Sequence, residues 1–132
     1  MRITADTNVL VRAVVADDPA QSQAAIAALR GADQIAVAVP ALCEFVWVLR
    51  RVYAFPVAEI SAAIRALMEA GNVSLDRAAV EAGLWQLEAG GDFADAVIAH
   101  QGQWLGGDTF LSFERQAVAL LQQRGIAAAL LT

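Results

Sequence analysis

The sequence predicts an α/β fold with a mostly parallel sheet. Short apolar runs of strand length alternate with longer, alanine-rich segments of helical character along the whole chain. The helical segments begin near aspartate or proline, and several of them end near glycine. Because a helix between two strands lets those strands run parallel, this alternation is typical of the α/β class.

The first element is an apolar run that Asp6, Thr7 and Asn8 interrupt. Residues 2–5 are predicted to form a buried strand, and residues 9–15 a helix. Two interpretations of Asp6 remain open at this point. Its side chain can cap the following helix, as can those of Thr7 and Asn8, or it can present a carboxylate at the end of a parallel strand, where α/β sheets bind their ligands.

The later elements follow from the same signals. Asp18 and Pro19 begin a helix that Gly31 ends, and Pro40 is well suited to the first turn of a mostly buried helix. Asp76 and Asp92 are predicted to cap two further helices. The later predicted strands are 34–39, 72–75, 108–112 and 126–131. The later predicted helices are 19–30, 40–55, 57–70, 77–87, 93–105 and 114–124.

Composition indicates one domain over residues 1–132, because the chain is long enough for one core and has no linker or repeat. The hydrophobic fraction of 58% and mean hydropathy of +0.52 are high, yet no apolar run reaches the roughly 18 residues of a membrane helix. The start lacks the features of a signal peptide. Cys43 is the single cysteine, which suits a reducing compartment. We therefore expect a cytoplasmic protein without a membrane partner.

Several reaction classes are excluded by the residues that the chain lacks. All nine basic residues are arginine, so there is no lysine for a Walker A motif or a Schiff base. One histidine, His100, and one cysteine do not make an ordinary zinc site, and no nucleophile elbow is present. The net charge of −5 would repel a polyanion, so contact with nucleic acid must be local or assisted by a metal.

Carboxylates therefore remain as the chemical groups of interest. They are predicted at strand ends and helix starts, which share one edge of a parallel sheet. Glu44 and Asp95 lie in apolar segments, where burial of an unpaired charge is costly. Carboxylates that meet without a lysine repel one another unless a cation neutralises them, and oxygen ligands suit Mg²⁺ or Mn²⁺. The candidate residues are Asp6, Glu44, Asp92, Asp95 and Glu114, with Asp108 at the start of a strand.

The chain resembles the PIN-domain nucleases, and most closely the VapC-type ribonuclease toxins of toxin-antitoxin pairs. The resemblance is carried by "ADTNVLVR", "PALCEFVWVLRR", "DFADAVIA" and "SFERQAVALL", which together span nearly the whole chain. It implies a three-layer α/β/α sandwich and a homodimer. It also implies that Asp6, Glu44 and Asp95 match the metal-binding acids, with Thr7 and Asn8 as supporting neighbours.

One departure from the family pattern concerns the fourth acidic residue. The family usually has threonine, phenylalanine and aspartate where this chain has Ser112, Phe113 and Glu114. Glutamate keeps the charge but adds a methylene group, so the fourth ligand, Glu114, is expected to be displaced or to act through water, and Asp92 could share that role.

The function predicted from these residues is a metal-dependent endoribonuclease that uses Mg²⁺ or Mn²⁺. As a toxin it would bind an antitoxin whose helix covers an apolar groove and whose basic side chain reaches the carboxylates. The alternative is a catalytically inactive PIN-like binding module. A phosphatase of the haloacid dehalogenase type is disfavoured, because Asn8 replaces its second aspartate and lysine is absent.

The arginines and large aromatic residues permit two interpretations each. An arginine can bind RNA phosphate or form an ordinary surface ion pair. The candidate arginines are Arg12, Arg50, Arg51 and Arg115. The aromatic residues lie in apolar helical patterns and are predicted to be core or dimer-interface residues rather than platforms for bases. They are Phe45, Trp47, Trp85 and Trp104.

Overall fold

Seven helices and five short strands make up the chain, and the computed structural model describes all of residues 1–132. They divide into two compact units, unit 1 (Met1–Asp76) and unit 2 (Arg77–Thr132). In chain order the elements are β1 (Arg2–Thr4), α1 (Thr7–Val14), α2 (Pro19–Gly31), β2 (Gln34–Ala36), α3 (Val39–Arg51), α4 (Val57–Glu69), β3 (Val73–Ser74), α5 (Arg77–Glu88), α6 (Phe93–Trp104), β4 (Phe110–Ser112), α7 (Arg115–Gln123) and β5 (Ala128–Leu130).

Unit 1 is built on a parallel sheet in the order β1-β2-β3. Ile35 is central to it, because this residue pairs with Ile3 on one side and with Val73 on the other. Helix α1 packs against α2 and α3, and α4 packs against α3 and β3. The side chains of Leu49 and Ile64 are fully buried, so an apolar core holds these helices together.

Unit 2 contains a second parallel pair, β4 and β5, with α7 packed against both strands. Helices α5 and α6 pack closely along each other. Phe93 and Leu121 are fully buried, and Phe110 packs onto the cluster around Leu121. Every strand pairing in the chain is parallel, so the predicted α/β class is confirmed and is consistent with a PIN-like α/β/α fold. None of the helices is long and apolar enough to cross a bilayer.

Helix starts were predicted better than strand lengths. Asp18 and Asp92 each accept a hydrogen bond from an amide in the first turn of the helix that follows. The strand predicted over 34–39 is wrong in its second half, because Val39 already begins α3 with Pro40 in its first turn. The helix predicted to reach Phe55 ends at Arg51. The prediction that β1 is a buried strand is also wrong, since two of its three residues are exposed.

A close contact between α5 and α6 depends on a glycine. A Cβ atom added at Gly83 would lie 2.5 Å from Cε2 of Phe93, whose ring is fully buried. The ring therefore occupies the space that a side chain at this position would need.

We predict that Gly83→Ala lowers the free energy of unfolding by about 1–3 kcal/mol, because the buried ring of Phe93 must move. Gly102→Ala in α6 is the matched control, since nothing lies within 4 Å of the added Cβ there. Its effect should be neutral or slightly stabilising, because alanine favours a helix. Urea unfolding midpoints measure both, and equal shifts for the two variants would contradict the expectation.

Candidate metal centre

Asp6 follows β1 and stands at the N-cap position of α1. Its backbone carbonyl accepts hydrogen bonds from the amides of Val9 and Leu10, at 3.0 Å and 3.3 Å. Its side chain makes no capping hydrogen bond and is exposed. Of the two interpretations left open by the sequence, side-chain capping is therefore wrong. The carboxylate has no partner within the protein and is available to an external ligand.

Thr7 connects the segment after β1 to α3. Its hydroxyl, which is almost fully buried, lies 3.4 Å from Oε2 of Glu44 and 3.5 Å from the carbonyl oxygen of Ala41. The expectation that Thr7 caps α1 is wrong, because Thr7 is the first residue of the helix and its hydroxyl is directed towards α3. Asn8 makes no capping bond either. The contact places Glu44 close to the residue that follows Asp6.

Glu44 is exposed, contrary to the argument from its apolar neighbours. Leu42, Phe45 and Val46 are buried, whereas Glu44 lies on the outer face of α3. A side chain on the outer face of a helix can follow apolar residues in sequence without sharing their burial. Glu44 therefore needs no cation to balance a cost of burial.

In unit 2, three acidic residues lie at the amino ends of α6 and α7. We call Asp92, Asp95 and Glu114 the unit 2 carboxylates. Asp92 caps α6 by accepting from the amide of Ala94 at 3.0 Å, and Asp95 is half-buried in the first turn. Glu114 stands at the N-cap position of α7, but its exposed side chain makes no capping bond.

The electrostatics of this group are unfavourable to a negative charge on Asp95. Burial raises the pKa of the Asp95 carboxyl, and the nearby negative charges of Asp92 and Glu114 raise that pKa further. None of the three carboxylates forms an ion pair with an arginine. The protein thus concentrates negative charge here without supplying a compensating cation of its own.

Ser112 is a residue of this region whose contact the sequence reasoning missed. Its hydroxyl accepts a hydrogen bond from the amide of Glu114 at 3.0 Å, which orders the turn between β4 and α7. The signal was present, because a serine side chain in a turn can accept a hydrogen bond from the backbone amide two residues later. The serine in the "SFE" run therefore helps to orient the chain at Glu114.

The donor chemistry of the candidate residues suits a hard divalent cation, because every candidate donor is a carboxylate oxygen. The repulsion at Asp95 points the same way, since a bound cation would relieve it. No three histidine, cysteine, aspartate or glutamate side chains are already gathered in a metal-binding arrangement. The donor atoms and the negative charge of these residues therefore fit Mg²⁺ or Mn²⁺. The side chains are not already arranged as a metal site.

A family model described as the PIN domain matches residues 3–120. The chain belongs to the PIN domain family. The match spans all five candidate carboxylates, and none of the curated proteins matches the chain significantly. PIN domains have a nuclease-type fold, are commonly ribonucleases and generally use divalent metals. Membership therefore supports a nuclease-type hydrolase in general terms.

Asp108 of this PIN domain stands apart from the unit 2 carboxylates. It precedes β4, whereas Glu114 follows the opposite end of that strand. Its carboxylate accepts a hydrogen bond from the hydroxyl of Thr109. A cavity of about 210 Å³ beside Asp108 is lined by the second half of α6, by the start of β4 and the residues before it, and by the two residues before β5. That cavity therefore lies away from the acidic groups that could bind a metal.

The four arginines considered as phosphate ligands differ in whether they already have partners within the protein. Arg12 forms an ion pair with Asp17 and donates a hydrogen bond to the hydroxyl of Tyr53. The interpretation of Arg12 as a free phosphate ligand is therefore wrong, because these contacts occupy its guanidinium group. The other three candidates are exposed, and they are Arg50, Arg51 and Arg115.

Three of the four large aromatic residues singled out from the sequence are less buried than a core assignment requires. Phe45 is a core residue, as predicted. Trp104 is 84% exposed, and Trp47 and Trp85 are also exposed, so the core interpretation is wrong for all three tryptophans. Arg124 lies over the ring of Trp85, 4.7 Å from its centroid. The alternative interpretation, a dimer interface, stays a prediction.

We predict that Asp95→Asn stabilises the metal-free protein at neutral pH, by about 1–4 °C in Tm, because it removes a disfavoured charge. The raised pKa means that Asp95 favours the folded state below the ordinary value of 3.8, and that this contribution is lost as pH rises through the folded-state pKa. The advantage of the variant should therefore disappear at pH below 3.8.

Thermal unfolding in the presence of a chelator, at neutral and acidic pH, measures this difference. Asp108→Asn is the matched control in the same unit, and we expect little change from it. A lower Tm for Asp95→Asn than for the wild type at neutral pH would contradict the electrostatic account of the unit 2 carboxylates.

Proposed function

We propose that this PIN domain is a metal-dependent endoribonuclease that hydrolyses RNA phosphodiester bonds with Mg²⁺ or Mn²⁺. The observation that carries the proposal is the group of three unit 2 carboxylates, in which Asp95 is half-buried beside two like charges with no arginine paired to any of them. Such an arrangement is costly in a purely structural role, and a bound divalent cation would remove the cost.

We assign Asp6 and Glu44 in unit 1, and Asp95, Glu114 and Asp92 in unit 2, to metal binding. One or two ions are proposed, and a bound ion would lower the pKa of a water molecule and neutralise charge on the phosphate. Asp6 has an unused carboxylate, and the Thr7 hydroxyl lies within reach of a Glu44 oxygen and would orient it. Asp92 already uses one oxygen on the amide of Ala94, which leaves it fewer lone pairs for the ion than Asp95.

RNA contact is assigned to the exposed arginines. Arg50 and Arg51 end α3, the helix that also carries Glu44, and Arg115 directly follows Glu114. A guanidinium group can bind two phosphate oxygens at once. These arginines would supply local positive charge to a chain whose net charge of −5 disfavours RNA as a whole.

We predict that Asp6→Asn, Glu44→Gln and Asp95→Asn each lower RNA cleavage at least about a hundredfold, because each removes a charge that holds the ion. Cleavage of a mixed RNA pool with Mn²⁺ or Mg²⁺, with and without chelator, measures this. Asp108→Asn is the control and should cleave normally. Wild-type rates from Asp95→Asn, with its fold verified by circular dichroism, would contradict the proposal.

The finer assignment is the toxin of a type II toxin-antitoxin system. An apolar groove of about 210 Å³ in unit 1 favours it, because a helix of a small antitoxin could bury its apolar face there. The groove residues come from all four helices of unit 1 and are Leu10, Ala13, Val14, Leu29, Phe45, Ala63, Ala66 and Leu67. A basic antitoxin side chain would in addition neutralise an unpaired carboxylate such as Asp6.

We predict that Ala66→Glu weakens antitoxin binding at least about tenfold, because it places a charge in the apolar groove. Ala62→Glu is the matched control, since Ala62 is exposed on the same helix and does not line the groove. The measurement is a search for a small protein encoded beside this gene, then its co-purification with each variant and titration; the absence of such a protein would count against the toxin assignment. Equal binding by both variants would contradict the groove assignment.

A homodimer and a cytoplasmic location complete the proposal. Exposed apolar side chains in unit 2 favour self-association. They include Trp104, Leu105 and Phe113, which are 84%, 88% and 75% exposed. The rival is a binding module with an inactive PIN fold. The absence of a preassembled metal cluster is the observation that favours it. Metal-dependent cleavage in the assay above would exclude that rival.

A further inference from the structure

A glycine turn joins α5 to α6 and is held against α7. The side-chain amide of Gln116 donates a hydrogen bond to the carbonyl oxygen of Gly90 at 3.0 Å. Gly90 lies two residues before Asp92, and Gln116 lies two residues after Glu114. This one hydrogen bond therefore connects the two chain segments that carry Asp92 and Glu114.

The turn is closely packed against α5 and α7. Gly90 has a φ of +98°, a backbone conformation that favours glycine and that sets the direction of its carbonyl. The amide of Gly91 donates to the carbonyl of Gln86 at 2.8 Å, and a Cβ at Gly91 would lie 2.6 Å from Cδ1 of Leu120 in α7. The segment before Asp92 thus has little freedom to move away from α7.

Each end of this connection is also ordered locally. The Asp92 side chain binds the amide of Ala94, and the Glu114 amide binds the hydroxyl of Ser112. Like charges on Asp92, Asp95 and Glu114 repel one another, and the hydrogen bond from Gln116 opposes the separation of the segments that bear them. A small divalent ion requires short, defined distances to its oxygen ligands, so the spacing of these carboxylates would affect its affinity.

We propose that Gln116 is a positioning residue for metal binding, which holds the Asp92 segment to the Glu114 segment through the carbonyl of Gly90. The inference rests on the proposed function, in which these acids bind the ion. Gln116 touches neither the ion nor the RNA. Its loss should weaken the affinity for the ion and leave the reaction at saturating metal almost unchanged.

The chain offers a matched control on the same helix. Gln122 of α7 is also exposed, and its side-chain amide donates to the carbonyl of Ala128 at 2.9 Å, at the end of α7 away from the carboxylates. Gln116→Met and Gln122→Met each delete one bond of the same kind and keep a side chain of similar length. Because both positions are exposed, both variants are expected to fold.

The experiment is calorimetric titration of the metal-free full chain with Mn²⁺, together with RNA cleavage at increasing Mn²⁺ concentration. Gln116→Met should raise the Kd for Mn²⁺ and the half-saturating Mn²⁺ concentration about threefold to tenfold, with the maximal rate within about twofold of wild type. Gln122→Met should leave both Mn²⁺ values at the wild-type level. The two variants should lower Tm by similar amounts.

Equal Kd values for Gln116→Met and Gln122→Met would overturn the positioning role, provided that Asp95→Asn abolishes Mn²⁺ binding in the same titration. A wild-type chain that binds no Mn²⁺ and cleaves no RNA would overturn the proposed function, and the positioning role with it. A fall in maximal rate without a change in Mn²⁺ affinity would likewise contradict the role assigned to Gln116.

Discussion

Repulsion between neighbouring carboxylates is the physical constraint on which the account of this PIN domain depends. Asp95 is half-buried beside Asp92 and Glu114, and its pKa is raised first by burial and then by those two charges. A charge in this half-buried position is disfavoured by desolvation and by the two like charges beside it. No arginine pairs with these carboxylates, and the proposed metal site rests on this observation.

The parallel topology places two of the candidate carboxylates, Asp6 in unit 1 and Glu114 in unit 2, between a strand and the helix that follows it. In each unit a strand ends shortly before a helix begins, so residues after the strand stand at the amino end of the helix. Asp6 follows β1 and Glu114 follows β4 in this way. Neither side chain caps its helix, so each carboxylate is left without a capping hydrogen bond. Capping contacts occur instead at Asp18 and Asp92, where they fix helix starts.

Residues typical of helix ends predicted much of the secondary structure from the sequence. Which side chains are buried could be determined only from the three-dimensional structure. Pro19 and Gly31 mark the ends of α2 correctly, and the "FADAVIA" segment forms α6 as expected. The pattern around Glu44 suggested a buried charge, because sequence neighbours do not reveal which face of a helix is outward. The contact between Gln116 and Gly90 spans 26 residues, and no local pattern could have indicated it.

Thermal unfolding of the metal-free protein with increasing Mn²⁺, compared with NaCl at matched ionic strength, would show whether the folded chain binds the divalent ion. A ligand that binds only the folded state raises Tm with its concentration. We predict a progressive rise in Tm with Mn²⁺ that NaCl does not reproduce. An identical response to Mn²⁺ and NaCl would contradict it, because simple screening would then be all that the carboxylates require.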